Sequence, residues 1–255
     1  MPIDEVFVNP TVKQVIFQML FPNLFYIENK IGEFQLKIMN EFPESKLLHR
    51  MQFTWADVGP DSKLTDIESK LDKDTTGQKI WQFNSPKNFQ INVTSNSLDI
   101  SSMYHKTYRM DNGDKFRDVI ELAVKNFFQV VSVPLIGRVG LRYVDECPIF
   151  SKDNDTFKSY YNSVFPIQRF NLADVEEMDF KGVIKRGDCV LRYVESLKKV
   201  EDQYLLILDF DSVRNNVNPE DVLKVTDDLH TIISEEYEKT ITERVKEYMR
   251  KPKAV

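Results

Sequence analysis

The chain has 255 residues, of which 42% are hydrophobic and 12% aromatic, a content that supplies a packed core and excludes global disorder. Its formal net charge of -6 argues against a general nucleic-acid binder, because an acidic chain repels phosphates at long range, although a local basic patch is compatible with this charge. Cys147 and Cys189 lie far apart and outside any C-x-x-C pair, which disfavours a disulfide framework and a structural zinc site.

The first half of the chain predicts a strand, a helix, four strands and a second helix. Apolar and polar residues alternate in the first strand, and apolar residues recur every three or four positions in the helices. Short turn-type segments separate the last three strands and predict antiparallel pairing. The predicted strands cover residues 12–21, 47–55, 80–84, 89–94 and 98–104; the helices cover 24–41 and 114–131, and 57–78 is a polar loop.

The second half repeats much of this order. A strand around residues 138–143 precedes a short helical segment at 155–164 and a weak strand at 167–171. Three further strands are predicted at 180–185, 189–197 and 203–211. An apolar edge then continues from Pro219 to about Arg250, which predicts one C-terminal helix roughly 45 Å long.

These patterns predict an α+β fold of two β-α-β4-α pseudo-repeats, residues 1–133 and 134–255, within one continuous structural unit. The two halves would form a curved antiparallel sheet backed by helices. This element order resembles that of the TATA-binding-protein-like fold. The expected sheet face lacks the apolar wedges with which minor-groove proteins kink DNA. We expect burial of an apolar set comprising Phe17, Phe34, Ile38, Phe89, Ile91, Phe127 and Leu229.

Three motifs carry a second resemblance, one that spans nearly the whole chain. They are Asn9-Pro10-x-Val12-x-x-Val15-x-Phe17, Gly137-x-x-Gly140-Leu141-Arg142-Tyr143 and Leu229-His230-x7-Glu238-x2-Ile241-Thr242. Together they resemble a sporadically distributed, uncharacterised prokaryotic protein family of about this length. The resemblance supplies no catalytic residues. Such a patchy distribution is typical of mobile or defence-associated genes.

A polar sheet face is the first candidate binding surface. Arg138 and Arg142 alternate with apolar residues of their strand, so both side chains should leave the core face together. Guanidinium and amide groups on a rigid sheet suit an anionic or amide-rich ligand. The predicted ligand-binding residues are Gln14, Gln18, Asn92, Arg138 and Arg142. An ordinary solvated sheet face would show the same pattern.

Two alternatives remain open. Lys185, Arg186 and Arg192 lie along a basic hairpin that could bind nucleic acid, as in a component of a prokaryotic defence or mobile-element system. Asp209 and Asp211 point to one face at a strand end and could hold Mg²⁺ in a metal-dependent phosphoesterase, but no further ligand is identifiable. The simpler interpretations of the two patterns are an ordinary solvated hairpin and a strand end that turns polar as it enters a loop.

The residues therefore favour a non-enzymatic binding or accessory protein. None of the catalytic or phosphate-binding motifs G-x-S-x-G, Walker A, G-x-G-x-x-G or H-E-x-x-H occurs, so we assign no catalytic residue, metal or cofactor. The partner would be an unknown protein or a small anionic ligand, and the long C-terminal helix suggests a homodimer. Residues 1–10 contain Asp4 and Glu5 but no basic stretch, and no long apolar run occurs, so we expect a cytoplasmic protein without a membrane span.

Overall fold

The computed structural model describes residues 5–50, 78–103, 107–109, 115–201 and 203–252. Within these residues the chain is an α+β protein with one open antiparallel sheet of nine strands. The α+β class and the antiparallel sheet are as the sequence predicts, although the sequence predicts ten strands. The strands are β1 (Val12–Leu20), β2 (Glu44–Arg50), β3 (Gln78–Asn84), β4 (Phe89–Val93), β5 (Ser97–Ser102), β6 (Ile136–Pro148), β7 (Met178–Arg186), β8 (Cys189–Val200) and β9 (Gln203–Val217).

The two halves of the chain meet at a pair of adjacent strands near the middle of the sheet. The strand order is β2-β3-β4-β5-β1-β6-β9-β8-β7, so β1 and β6 join the halves while β2 and β7 are the edges. Phe17 pairs with Leu141 in the antiparallel β1–β6 register, and both side chains are fully buried. The core therefore continues across the junction between the halves.

All five described helices pack on one side of the sheet, where the strand residues are buried. Edge-to-face ring contacts join Phe34 of the first helix to Phe83 of β3 and to Phe127 of the second helix. The whole apolar set predicted from the sequence is buried, which confirms that expectation. The helices are α1 (Ile27–Ile38), α2 (Phe116–Val130), α3 (Asn154–Tyr160), α4 (Val222–Thr240) and α5 (Glu243–Arg250).

The prediction of one continuous C-terminal helix is wrong. A 3-10 turn at Pro219–Asp221 leads into α4, which ends at Thr240, and α5 begins at Glu243. At the break, Thr242 donates its backbone N–H to the carbonyl of Tyr160 at 2.9 Å, instead of continuing the helix. Its hydroxyl donates to the carbonyl of Ser159 at 2.8 Å. These bonds to the end of α3 replace the helical ones and turn α5 onto the N-terminal segment.

The strand predicted at residues 167–171 is also wrong. These residues form a turn in which Arg169 and Phe170 both donate backbone N–H groups to the carbonyl of Pro166. A 3-10 turn, Leu172–Asp174, follows directly. The second half therefore has three strands after its helix, whereas the first half has four. Three predicted segments lie outside the described residues. They are the loop at 57–78 apart from Gln78, the end of the second strand beyond residue 50, and the start of the 114–131 helix at Asp114.

Candidate functional site

The face of the sheet opposite the helices, here called the open face, collects all five predicted ligand-binding residues. Gln14 and Gln18 of β1 alternate with the buried residues Val15 and Phe17 and so point away from the helices. Across the sheet, Ile16 pairs with Arg142, and Gln18 pairs with Asp99, which in turn pairs with Asn92 of β4. Arg138 and Arg142 lie on the same side of β6. The structure thus brings Gln14, Gln18, Asn92, Arg138 and Arg142 onto one surface.

The centre of the open face carries a bidentate ion pair between neighbouring strands. Arg142 donates through Nε and Nη2 to the two carboxylate oxygens of Asp209, both at 2.7 Å. The pKa of Arg142 lies above the usual value for arginine, mainly because the guanidinium donates hydrogen bonds to Asp209. The side chain of Asp209 is 15% exposed and that of Arg142 is 41% exposed, so the guanidinium covers the carboxylate.

Arg138 makes a looser contact beside this pair. Its Nη2 lies 3.4 Å from Asp211, and its buried Nε has no hydrogen-bond partner among the described residues. The guanidinium lies flat on the strand above Gly140, where a Cβ would come 3.6 Å from Nε. Arg138 is therefore held in place by the sheet while its charge is only partly compensated.

Asp209 and Asp211, the predicted magnesium ligands, each face an arginine. Their oxygens accept the hydrogen bonds of Arg142 and Arg138, so a cation here would have to displace two guanidinium groups. Among the described residues, no group of three or more His, Cys, Asp or Glu side chains is arranged to hold a metal ion. This geometry disfavours the phosphoesterase hypothesis.

Neutral amides and hydroxyls cover the other half of the open face. Gln18 donates to Asp99 at 2.8 Å, and the hydroxyl of Ser97 donates to the other oxygen of Asp99 at 2.9 Å. Burial raises the pKa of Asp99 in spite of these donors. Gln82 and Gln90 both donate to the side-chain oxygen of Asn92, at 3.2 and 3.1 Å. The bonds fix the amide orientations along four neighbouring strands, β3, β4, β5 and β1.

The basic hairpin of β7 and β8 does not present its three predicted residues together. Lys185 and Arg192 both lie on the open face, because Arg192 pairs with Val183 and Val183 lies two positions from Lys185, on the same side of β7. Arg186 points to the helix side, where it pairs with Glu236 of α4 at 2.7 Å. The open-face positions of β7 and β8 carry no aromatic ring, so this part of the sheet offers no platform for base stacking.

The sequence analysis missed two buried carboxyl groups on the helix side of the sheet. Asp145 is 4% exposed and accepts a hydrogen bond from Thr11 at 2.8 Å, and burial raises its pKa to about 7. Glu195 is fully buried and accepts hydrogen bonds from Ser163 and Tyr193, and burial raises its pKa as well. Each interrupts an alternating row of apolar core positions, and that signal in the sequence could have revealed both.

A cleft of about 450 Å³ opens next to Glu195. Ser163 lines the cleft and joins it to the buried carboxyl group. The hydroxyl of Ser163 also accepts the backbone N–H of Phe165 at 3.1 Å. Both bonds hold the hydroxyl in place between the cleft and Glu195, and no histidine is among the residues that line the cleft.

Comparisons with protein-family models, curated proteins and solved structures found no match to this chain. In the part of the chain that the structure describes, no helix is both long and apolar enough to cross a bilayer.

Proposed function

We propose that the protein is a non-enzymatic binding or accessory protein whose ligand lies across the open face of the sheet. The observation that carries this proposal is the arrangement of five polar residues, predicted from the sequence, on one side of a sheet whose described helices all pack on the other side. A face that no described helix covers leaves room for an extended ligand. The ordered amides and the guanidinium of Arg138 lose little conformational entropy when they bind it.

The chemistry of the face favours a peptide-like ligand that carries a carboxylate. Gln18, Gln90 and Asn92 offer amide donors and acceptors that match peptide groups, and side-chain hydrogen bonds within and between strands fix them. Arg138, whose contact with Asp211 is long at 3.4 Å, is the guanidinium best able to change partner. A carboxylate would form with it the bidentate contact that Asp211 does not.

Selection from a random peptide display library on the immobilised protein tests this proposal. Peptides that are enriched should be measured by calorimetry against the parent and against the charge-neutral variant Arg138→Ala/Asp211→Ala. Removal of both partners leaves no unpaired carboxylate, so the fold should be retained. We expect affinity to fall about tenfold or more when a bidentate contact to the ligand is lost.

A matched control removes an ion pair from the opposite side of the molecule. Lys30 and Glu33 pair at 2.6 Å on the exposed surface of α1. The variant Lys30→Ala/Glu33→Ala also replaces one cation and one carboxylate with alanine, leaves the net charge unchanged, and should bind as the parent does. Peptides that bind the Arg138→Ala/Asp211→Ala variant as tightly as the parent, or a library that gives no enrichment, would contradict a ligand site at Arg138.

Nucleic-acid binding is the second candidate function, and three neighbouring cations favour it. Lys181 and Lys185 flank Arg192 diagonally across the β7–β8 pair on the open face, and none has an ion-pair partner within the described residues. This hypothesis, in a defence or mobile-element setting, predicts salt-dependent binding of fluorescent single-stranded or duplex oligonucleotides. Binding should be lost in the triple variant Lys181→Ala/Lys185→Ala/Arg192→Ala. Absence of an anisotropy change at low salt would exclude this candidate.

We also propose that the two halves, residues 1–133 and 134–255, are pseudo-repeats that form a curved sheet with the element order of the TATA-binding-protein-like fold. The strand order supports this proposal. The first strand of each half lies at the β1–β6 junction, and the remaining strands follow outward in reverse order on either side. The two halves differ by one strand, because residues 167–171 do not form the strand that the first half has at the matching position. A structure at high resolution in which the halves do not superpose would contradict the duplication.

A further inference from the structure

The outer edge of β7 is long, regular and uncovered in the part of the chain that the structure describes. Each of its nine residues pairs with β8 in an unbroken register, from Met178 with Leu197 to Arg186 with Cys189. No described strand pairs with the other side of β7. Val183 is 72% exposed and Phe180 is 39% exposed on this strand. An edge of this kind is a template for one more strand, because its unpaired backbone groups can bond to a neighbour.

The side chains of β7 are self-complementary about Gly182. If a second copy of β7 pairs antiparallel with the two Gly182 residues opposite each other, Asp179 of each chain faces Lys185 of the other. Both side chains lie on the open face, and neither has an ion-pair partner among the described residues. Directly opposite strand residues lie close enough for such charges to attract.

The other pairs in this register are also favourable. Phe180 faces Ile184 on the helix side, which gives each chain an apolar contact for a partly exposed ring. Lys181 faces Val183 on the open face, and the long aliphatic part of the lysine side chain can cover the exposed valine. The charged end of Lys181 remains in solvent, so no like charges oppose each other in this register.

Neighbouring registers do not share this property. Residues that face each other must lie on the same side of the sheet, so the register can slip only in steps that preserve the alternation of the strand. One step in one direction places Lys181 opposite its own copy, and one step in the other direction places Lys181 opposite Lys185. Like charges directly opposite each other destabilise a strand pair. Charge therefore selects the register centred on Gly182.

We infer that the protein forms a symmetric homodimer through antiparallel pairing of β7 with the β7 of a second copy, centred on Gly182. The twofold axis is perpendicular to the sheet, so the helices of both chains lie on the same side of the joined sheet. The two open faces then become one continuous surface. This dimer is independent of the proposed ligand site, because it uses the edge residues Asp179 to Lys185 and not Arg138 or Arg142.

Sedimentation velocity of the full chain over a range of concentrations tests the dimer. The parent should shift from monomer to dimer as concentration rises. Lys185→Asp and Asp179→Lys each place like charges opposite each other at both symmetric contacts, so each should weaken the dimer about tenfold or more. The double variant Asp179→Lys/Lys185→Asp restores the attraction with the charges exchanged and should dimerise as the parent does. Lys224→Asp, an equal change of charge at an exposed position of α4, should have no effect.

A second measurement fixes the register. Gly182→Cys places two thiols at the symmetry axis, so air oxidation should give a disulfide-linked dimer on a non-reducing gel. Leu36→Cys, at a 70% exposed position of α1, should not be linked under the same conditions. Circular dichroism of each variant verifies that it is folded. A parent that stays monomeric up to its solubility limit would overturn the inference. So would a dimer that tolerates both single charge reversals, or one that the double variant fails to restore.

Discussion

Among single residues, Arg142 couples the candidate binding surface to the stability of the sheet. The sequence analysis treats Arg138 and Arg142 as exposed side chains, whereas each is paired with a carboxylate of β9. Arg142→Ala would leave Asp209, which is 15% exposed, without its bidentate donor. Because the pair is partly exposed, we expect the free energy of unfolding in urea to fall by about 1 kcal/mol.

The matched variant Arg142→Ala/Asp209→Ala should recover part of this loss, because no unpaired carboxylate remains. Lys30→Ala, which removes one partner of the exposed pair on α1, should change the free energy of unfolding by less than about 0.5 kcal/mol. Equal stability of Arg142→Ala and the parent would show that the guanidinium does not stabilise Asp209.

Asp145 should make the folded chain less stable as the pH rises, whereas an ordinary ion-paired carboxylate makes it less stable as the pH falls. Burial raises its pKa in the folded chain to about 7 from a reference value of 3.8, so folding favours the protonated form. Stability should therefore be full below about pH 4 and fall as the pH rises to about 7. One pKa unit corresponds to about 1.4 kcal/mol, which gives a loss on the order of 4 kcal/mol.

The variant Asp145→Asn isolates this effect, because it keeps an acceptor for Thr11 and removes the titration. Urea unfolding should show the variant to be the more stable chain above pH 7, with the difference vanishing near pH 4. His230 acts in the opposite direction, since burial lowers its pKa to about 4 and stability is lost as the pH falls below about 6.5. The comparison between parent and variant cancels that second contribution. A constant difference in stability across this pH range would contradict the buried titration of Asp145.

Among the secondary-structure elements, the sequence predicts strands and helices well where local periodicity decides them. The burial pattern of β4 alternates strictly, and the apolar stripe of α1 faces the core at Ile27, Phe34 and Ile38. Local periodicity could not predict the break between α4 and α5. Ile241, Val245 and Met249 continue the helical spacing and are all buried, but bonds from Thr242 to residues 159–160, far away in sequence, interrupt the backbone.

The short helix α5 binds the N-terminal segment to the rest of the core through Met249 and through Arg250, which donates two hydrogen bonds to Glu5. The carbonyl of Met249 accepts the backbone N–H of Asn9 at 2.9 Å, and its side chain is 1% exposed against Thr11 and Tyr237. This burial removes the apolar stripe of α5 from the surface, so the helix itself offers little to the homodimer expected from the sequence. The helix instead contacts the first half of the chain, at Asn9 and Thr11.

Met249→Ala should lower the free energy of unfolding by about 2–4 kcal/mol, because it leaves a cavity that neighbouring residues fill only in part. It should also make the N-terminal segment more accessible to protease, since α5 holds that segment through Asn9. Glu247→Ala, at an exposed position of the same helix, serves as the control and should change neither quantity. A protease pattern like that of the parent would show that the N-terminal segment is held without the side chain of Met249.

At the scale of the whole molecule, the sequence predicts which side chains leave the core but not which of them meet. Alternation within β6 is local and places Arg138 and Arg142 on one face. The contact between Arg142 and Asp209 depends on the register of β6 with β9, and these residues are 67 positions apart. The self-complementarity of β7 likewise becomes evident only when β7 is known to be an edge. Strand order and register arise from packing of the whole sheet, which no local pattern encodes.

The β1–β6 junction predicts that the two halves unfold together. Phe17, Met19, Val139 and Leu141 are fully buried along this junction, so separation of the halves would expose apolar core from both. Both tryptophans, Trp55 and Trp81, lie in the first half, so their fluorescence reports on that half, whereas far-ultraviolet circular dichroism reports on both. The two urea transitions should coincide. A second variant moves the fluorescent reporter to the second half: both tryptophans are replaced by Phe, and Tyr204 of β9 is replaced by Trp. Its fluorescence and circular dichroism midpoints should again coincide, even if the substitutions shift both midpoints by the same amount. Distinct midpoints for the two reporters would mean that the halves are separate folding units joined only by hydrogen bonds of the sheet.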